Sequence, residues 1–279
     1  MKLVSFSVGG GKVRPGALFE EATTVIDLTD AGYPDTLSVI ATGFTAIDKS
    51  GAFPGHKLSE VRLHAPLANP PRVFAIGLNY RDHAKESKME LPKFPVVFFK
   101  MPTAIVGPGD AITLPKNSNE PDYEAELAVV IGEGGYRISG SAWRNHVYGY
   151  TIVNDVSARD IQRSTTQWSL AKSFPTFCPM GPAIVTADEI DDPHALGISL
   201  NIDGETLQDS NTRELVFRIP DLIEYISSIT PLLPGDMIST GTPSGVGMGR
   251  TPKRWLQAGE TVTVTIEGLG SLANPVEAE

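Results

Sequence analysis

The segment Pro121-Asp122-Tyr123-Glu124-Ala125-Glu126-Leu127-Ala128-Val129-Val130-Ile131 constrains the fold of this chain more than any other. Its apolar residues recur at every second position, the period of a β-strand rather than of a helix. Tyr123, Ala125, Leu127, Val129 and Ile131 share one face and belong in packing. Glu124 and Glu126 share the other, roughly 7 Å apart at the rise of an extended chain. Carboxylates that close repel, and one takes up a proton unless a cation stands between them. Oxygen donors of this kind suit Mg²⁺, Mn²⁺ or Ca²⁺. The plainer alternative is an acidic strand face turned to water.

The rest of the composition agrees with a strand-rich chain. Among 279 residues, 27 Gly and 22 Pro favour strands and turns over a helix bundle. That length fits one large domain, or a small one beside a medium one. The net charge of -10, without a basic run, argues against a nucleic-acid partner. It leaves room for a small anionic substrate, because a local cluster of Lys or Arg overrides the global sign. Cys178 is the single cysteine. It excludes an internal disulfide and a cysteine zinc site, and it fits a reducing cytosol. The start lacks a signal-peptide core, and no apolar run approaches the ~20 residues that span a bilayer. A soluble, cytoplasmic protein without a membrane partner is expected.

Short strands are predicted over Leu3–Val8, Gly16–Phe19 and Thr24–Leu28, and a short helix over Leu37–Thr45. Asn69-Pro70-Pro71 is a stiff break, because proline holds its predecessor extended. A boundary is placed there, with residues 1–70 as a small β-rich N-terminal domain and residues 71–279 as the larger one. Beyond it Arg72–Gly77, Val96–Lys100 and Val147–Asp155 read as strands, the last closing on Asp155. Tyr80–Met89 has helical character. Gly107-Pro108-Gly109-Asp110 reads as a turn, and Asp203-Gly204 as a tight hairpin. Ser157-Ala158-Arg159-Asp160 reads as a capping box opening a short helix. Pro220–Ile229 reads as an amphipathic helix with Leu222, Ile223, Ile226 and Ile229 on one face. Val262, Val264 and Ile266 alternate as a late strand. The sum is a mainly β, α+β chain, without the strand–helix alternation of a TIM barrel or Rossmann domain.

Several familiar signatures fail. Gly9-Gly10-Gly11-Lys12 resembles a P-loop, but Val13 stands where Ser or Thr must meet magnesium. Gly245, Gly247 and Gly249 lack the spacing of a dinucleotide fingerprint. No G-x-S-x-G elbow occurs. The five histidines include no His-x-x-x-His pair.

Other features survive beside a blander reading. His83 and Glu86 stand three apart, on one face of a helix. A carboxylate there fixes the imidazole tautomer and raises its basicity, although a solvated surface helix shows the same spacing. Asp155 is placed for a third carboxylate ligand, or for a turn. Arg159 and Lys172 suit an anionic substrate group, Arg159 through its planar fork, or are plain surface charge. Thr240-Gly241-Thr242-Pro243-Ser244-Gly245-Val246-Gly247 is a loop whose backbone N–H groups can approach a ligand, or a turn between strands.

Six blocks, in order, resemble the fumarylacetoacetate hydrolase (FAH) superfamily. They are Ile76–Glu86; Pro95–Lys100 with Pro102-Thr103-Ala104; Asp122–Leu127; Gly149–Asp160; Lys172-Ser173-Phe174 through Gly181-Pro182; and Gly235-Asp236 through Gly247. The resemblance runs from about Arg72 to the C-terminus, and the first 70 residues look like the variable N-terminal domain of many members. It implies an FAH-type distorted β-roll catalytic domain, usually in a homodimer. It implies Glu124, Glu126 and Asp155 as ligands of Mg²⁺ or Mn²⁺, and His83, Glu86 and Lys172 as catalytic residues. Arg159, Gln162 and Thr242 match positions that contact substrate. One departure is visible: Pro175 stands where many members carry Asp, three residues after the lysine.

For activity the resemblance implies a metal-dependent hydrolase that cleaves a C–C bond in 1,3-dicarbonyl 2-oxo acids, of the acylpyruvate or fumarylpyruvate type. His83 would activate the water, and closure of Tyr80–Met89 would complete the site. The alternative on the same residues is an oxaloacetate-type decarboxylase or tautomerase, or a hydroxymuconate-type isomerase, which needs no attacking water. A non-catalytic metal- or oxo-acid-binding protein is a third class, opposed by retention of the three carboxylates together with His83 and Glu86.

Overall fold

The computed structural model describes residues 1–19, 23–44, 55–86 and 90–279. Thr45 and Met89, at the ends of two expected helices, lie outside the described residues. The alternating segment becomes the strand Ala125–Ile131, buried along its whole length. It pairs antiparallel with Val147–Asn154, which is also buried throughout, and Ala125 stands opposite Asn154. These are central strands of a twelve-stranded mixed sheet. Its main path runs Gly55–Lys57, Thr24–Asp27, Arg14–Phe19, Lys2–Val8, Cys178–Thr186, Val147–Asn154, Ala125–Ile131, Met237–Ser239, Val73–Gly77 and Val96–Lys100. A second sheet of five strands runs Glu205–Asn211, Gly197–Ile202, Thr261–Ile266, Gly270–Ala278 and Ile112–Leu114.

The strand's two faces have different partners. Ala125, Leu127, Val129 and Ile131 pack against Ile198, Leu200, Val262 and Val264 of the second sheet. On the opposite face, Ala128 and Val130 pack with Leu3, Leu28, Val39 and Ile40 from the first part of the chain. Neither face is turned to water, so the acidic pair enters a covered environment. The hairpin at Asp203-Gly204 forms as expected, with positive φ angles of 48° and 92° that suit a tight turn.

The helices are few and short. Thr36–Ala41 begins on Asp35, whose side chain accepts the Ser38 N–H at 2.8 Å. Ile219–Ile229 buries Leu222, Ile223 and Ile226, but Ile229 is 67% exposed rather than on the packed face. It is the last helical residue, and the apolar stripe has already turned away from the core there. The expected capping box at Ser157 does not form. Ser157-Ala158 is instead a two-residue strand against Pro121-Asp122, and the Ser157 hydroxyl donates to the Asp155 carbonyl at 2.9 Å. The helix Arg159–Ser164 follows without a side-chain cap. No helix among the described residues is long and apolar enough to cross a membrane.

Candidate active site

Strand register brings the carboxylates together. Ala125 faces Asn154, so the next pair outward is Glu124 and Asp155. The Asp155 N–H donates to the Glu124 carbonyl at 2.9 Å. Opposed residues of an antiparallel pair share a face, so Asp155 joins Glu124 and, two residues along, Glu126. Ligand oxygens of all three lie within 4.8 Å of one another, and all three residues are buried. Glu124 itself stands just before the strand, where the Asn154 side chain accepts its N–H at 3.0 Å.

Their charges are managed unequally. Burial pushes the Glu126 carboxyl well up, and the nearby Asp155 and Glu124 push it further. The Ser239 hydroxyl at 2.5 Å and the Gly241 N–H at 3.0 Å both donate to Glu126 Oε2. Among the described residues nothing donates to its Oε1. Burial also works to raise Glu124, but the Lys172 ammonium and the Arg159 guanidinium outweigh it and hold that carboxyl down, at about 2. Lys172 is destabilised as a cation by burial, yet Asp155 and Glu124 overcome this and raise its pKa. The donor set fits a hard divalent cation: three buried carboxylates converge, and one resists ionisation until positive charge is near.

Two ammonium groups reach the triad. Lys172 Nζ lies 2.6 Å from Glu124 Oε2 and 2.8 Å from Asp155 Oδ2. Lys100 Nζ lies 2.5 Å from Asp155 Oδ1 and also donates to the Val156 and Lys172 carbonyls. The loop with Pro175 in place of Asp is anchored by other means, since the Thr113 N–H donates to Thr176 Oγ1 at 2.8 Å.

His83 and Glu86 share a face of the helix Arg81–Glu86, with Nδ1 3.3 Å from Glu86 Oε2. A carboxylate can only accept, so Nδ1 carries a proton, and in the neutral imidazole the lone pair is then on Nε2. The Gly245 N–H donates to Glu86 Oε1 at 3.0 Å. Gly249 leaves space for that carboxylate: a Cβ there would stand 2.4 Å from its carboxyl carbon. A cavity of about 370 Å³ joins His83, Glu124, Glu126, Lys172, Gln162 and Thr242. Phe98, Trp168, Leu78 and Met248 form its apolar wall. Asp155 and Glu86 stand behind this lining.

Residues 72–277 match the family model described as fumarylacetoacetate (FAA) hydrolase C-terminal. The chain belongs to the fumarylacetoacetate hydrolase family. A mitochondrial oxaloacetate tautomerase of Xenopus laevis is 42% identical over 291 residues, covering 99% of this chain and 90% of that protein. The structure of a fumarylacetoacetate hydrolase from Exiguobacterium antarcticum superposes with a TM-score of 0.90 at 37% identity, over 100% of both chains. A maleylpyruvate hydrolase from Sphingobium sp. SYK-6, solved with manganese(II) and pyruvate, gives 0.83 at 28% identity, over 100% of this chain and 99% of that one.

Within this FAH-family enzyme the sequence-predicted residues converge, but three supporting ones escape sequence reasoning. Lys100 closes an apolar strand, and its one signal is phase: it alternates with the buried Phe98 while Phe99 is exposed. Asp122 accepts Arg159 Nε at 2.8 Å and the N–H groups of Gly247 and Met248 at 2.7 and 3.0 Å. Arg159 is 2% exposed. It also donates through Nη1 to Gln162 at 2.9 Å and sets Nη2 2.6 Å from Glu124. Nε and Nη1 are thus hydrogen-bonded within the protein, while among the described residues Nη2 has no hydrogen-bond partner beyond its ion pair, and the residue lines the cavity. Gln208, in the second sheet, is the third, and nothing in its polar surroundings Thr206–Ser210 marks it.

Proposed function

We propose that this enzyme catalyses keto–enol tautomerisation of a small 2-oxo diacid, with oxaloacetate the first substrate to test. One observation carries this over C–C hydrolysis: 42% identity to an oxaloacetate tautomerase across 99% of the chain, against 37% to the fumarylacetoacetate hydrolase and 28% to the maleylpyruvate hydrolase. The geometry supports it by placing a base and a cationic lysine on the walls of one cavity.

Tautomerisation moves a proton between C3 and the 2-oxo oxygen. Toward the enol, His83 Nε2 takes the C3 proton and solvent water gives a proton to the oxygen. Toward the ketone, water takes the O–H proton and His83 delivers one to C3. Glu86 holds the tautomer that makes this possible. Lys172 offsets the charge that develops on the oxygen. Thr242 and Gln162 offer hydrogen bonds to the substrate's oxygens, while Arg159, which lines the same cavity, adds positive charge beside them. A divalent cation held by Glu124, Glu126 and Asp155, Mg²⁺ or Mn²⁺, supplies Lewis-acid withdrawal of charge from the 2-oxo acid. Homodimer assembly is carried over from the resemblance, and sedimentation of the intact chain checks it.

The test follows the ultraviolet absorbance of oxaloacetate enol with Mg²⁺ or Mn²⁺ present. Wild type should speed equilibration. His83→Ala should lose turnover and keep metal affinity, whereas Glu126→Ala should weaken both. Faster cleavage of acetylpyruvate or fumarylpyruvate, seen by product analysis, would return the assignment to a hydrolase.

A further inference from the structure

Gln208 lies on the strand Glu205–Asn211 and is wholly buried. Its amide meets three groups. Oε1 accepts the Ala125 N–H at 2.9 Å. Nε2 donates to the Pro243 carbonyl and to Thr242 Oγ1, each at 2.9 Å. The two ends of an amide have the same shape, but here the partners allow one orientation. The Ala125 N–H can only donate, so it faces the oxygen. The Pro243 carbonyl can only accept, so it faces the nitrogen. The nitrogen's second hydrogen then meets Thr242, whose hydroxyl has to accept it. That leaves the hydroxyl its own proton to give. Among the described residues no acceptor takes this proton, and Thr242 lines the cavity.

We propose that Gln208 is a positioning residue that makes the Thr242 hydroxyl a donor to an oxygen of the bound anion. Without the amide hydrogen the hydroxyl is free to rotate, and ordering it as a donor to the anion then costs binding energy. The ligand atom at Thr242 is an oxygen acceptor, and a charged one binds best. That the anion is a 2-oxo acid rests on the function proposed above. The rival role for Gln208 is purely structural, because Ala125 lies between Glu124 and Glu126 and the amide also braces that segment.

The two roles separate in a double-mutant cycle read by oxalate binding, a non-reacting dianion titrated calorimetrically into the Mg²⁺-loaded protein. Losing the preset direction of a hydrogen bond to a charged group should weaken oxalate severalfold, with about tenfold, the loss of the whole bond, as the upper limit. Gln208→Met should have this effect in wild type and in Thr242→Ser, which keeps the hydroxyl. It should have no further effect in Thr242→Val. An equal loss in the Val background would overturn the proposal and leave Gln208 acting through Ala125 alone. If Gln208→Met does not fold, Gln208→Glu takes its place. It keeps an acceptor for the Ala125 N–H but carries at most one hydrogen, too few for both Pro243 and Thr242, and the same pattern is expected. A wild type that binds oxalate but does not enolise oxaloacetate would sink the tautomerase reading alone. One that binds no oxalate would sink both.

Discussion

The ammonium of Lys100 has no exposed surface and stands 2.5 Å from Asp155, which is equally buried. Removing it leaves Asp155 with Lys172 as its remaining cation and strips a donor from two carbonyls. Breaking a buried ion pair from one side typically destabilises by about 3–5 kcal/mol. Lys100→Met, close in volume, should therefore lower stability by about 3 kcal/mol in urea unfolding. It should also weaken Mg²⁺ and Mn²⁺ affinity, because among the described residues Asp155 is then held through Oδ2 alone. An unchanged midpoint would show that Lys172 alone balances the site. Glu124, Glu126 and Asp155 are legible in the sequence because strand period fixes where side chains point. Lys100, Asp122 and Gln208 are not, because their meaning lies in contacts across separations of 55, 37 and 83 residues. No local pattern encodes those.

At the scale of elements, the helix Arg81–Glu86 is too short to hold itself. It is fastened to a neighbouring strand and loop: the Ser210 and Ser244 hydroxyls donate to Asp82 at 2.7 and 3.3 Å, and the Gly245 N–H donates to Glu86. Gly249 should be the sensitive point of this arrangement. The three atoms nearest an added Cβ are those of the Glu86 carboxylate, at 2.4–2.7 Å, and that end can swing away. Gly249→Ala should then change stability by less than about 1 kcal/mol. Freed from Glu86, His83 loses its fixed tautomer, and turnover should fall by about tenfold or more, within the range a positioned base contributes. Steady-state kinetics beside unfolding curves decide this; equal loss in both would mean that the loop, and not the dyad, was damaged. Of the helix expected over Tyr80–Met89, Arg81–Glu86 is helical and legible from its polar spacing, while Tyr80 forms a β-bridge with Leu215. The false capping box at Ser157 shows the limit of such signals. A cap depends on a free N-terminus, and pairing with Pro121-Asp122 removed it.

At the scale of the molecule, the chain's stiff break at Asn69-Pro70-Pro71 is bridged by both sheet and core. Lys2 pairs with Val185 and Leu3 with Ile184. The same strand, Cys178–Thr186, lies beside the one that leads into Asp155. Leu3, Leu28, Val39 and Ile40 pack in one cluster with Val130, Tyr148, Ile184 and Met237. Such contacts predict one cooperative transition. Leu28 is wholly buried, and Leu28→Ala should cost about 3 kcal/mol as a cavity. Trp143, Trp168 and Trp255 all lie beyond the break, so their fluorescence reports on the other side of it. In urea the fluorescence midpoint should fall together with the far-ultraviolet dichroism. A tryptophan transition that stays in place while the dichroism shifts would mean two units that fold alone. In the native baseline the same variant should keep wild-type Mg²⁺ affinity, because Leu28 touches the core behind the carboxylates and not the carboxylates themselves.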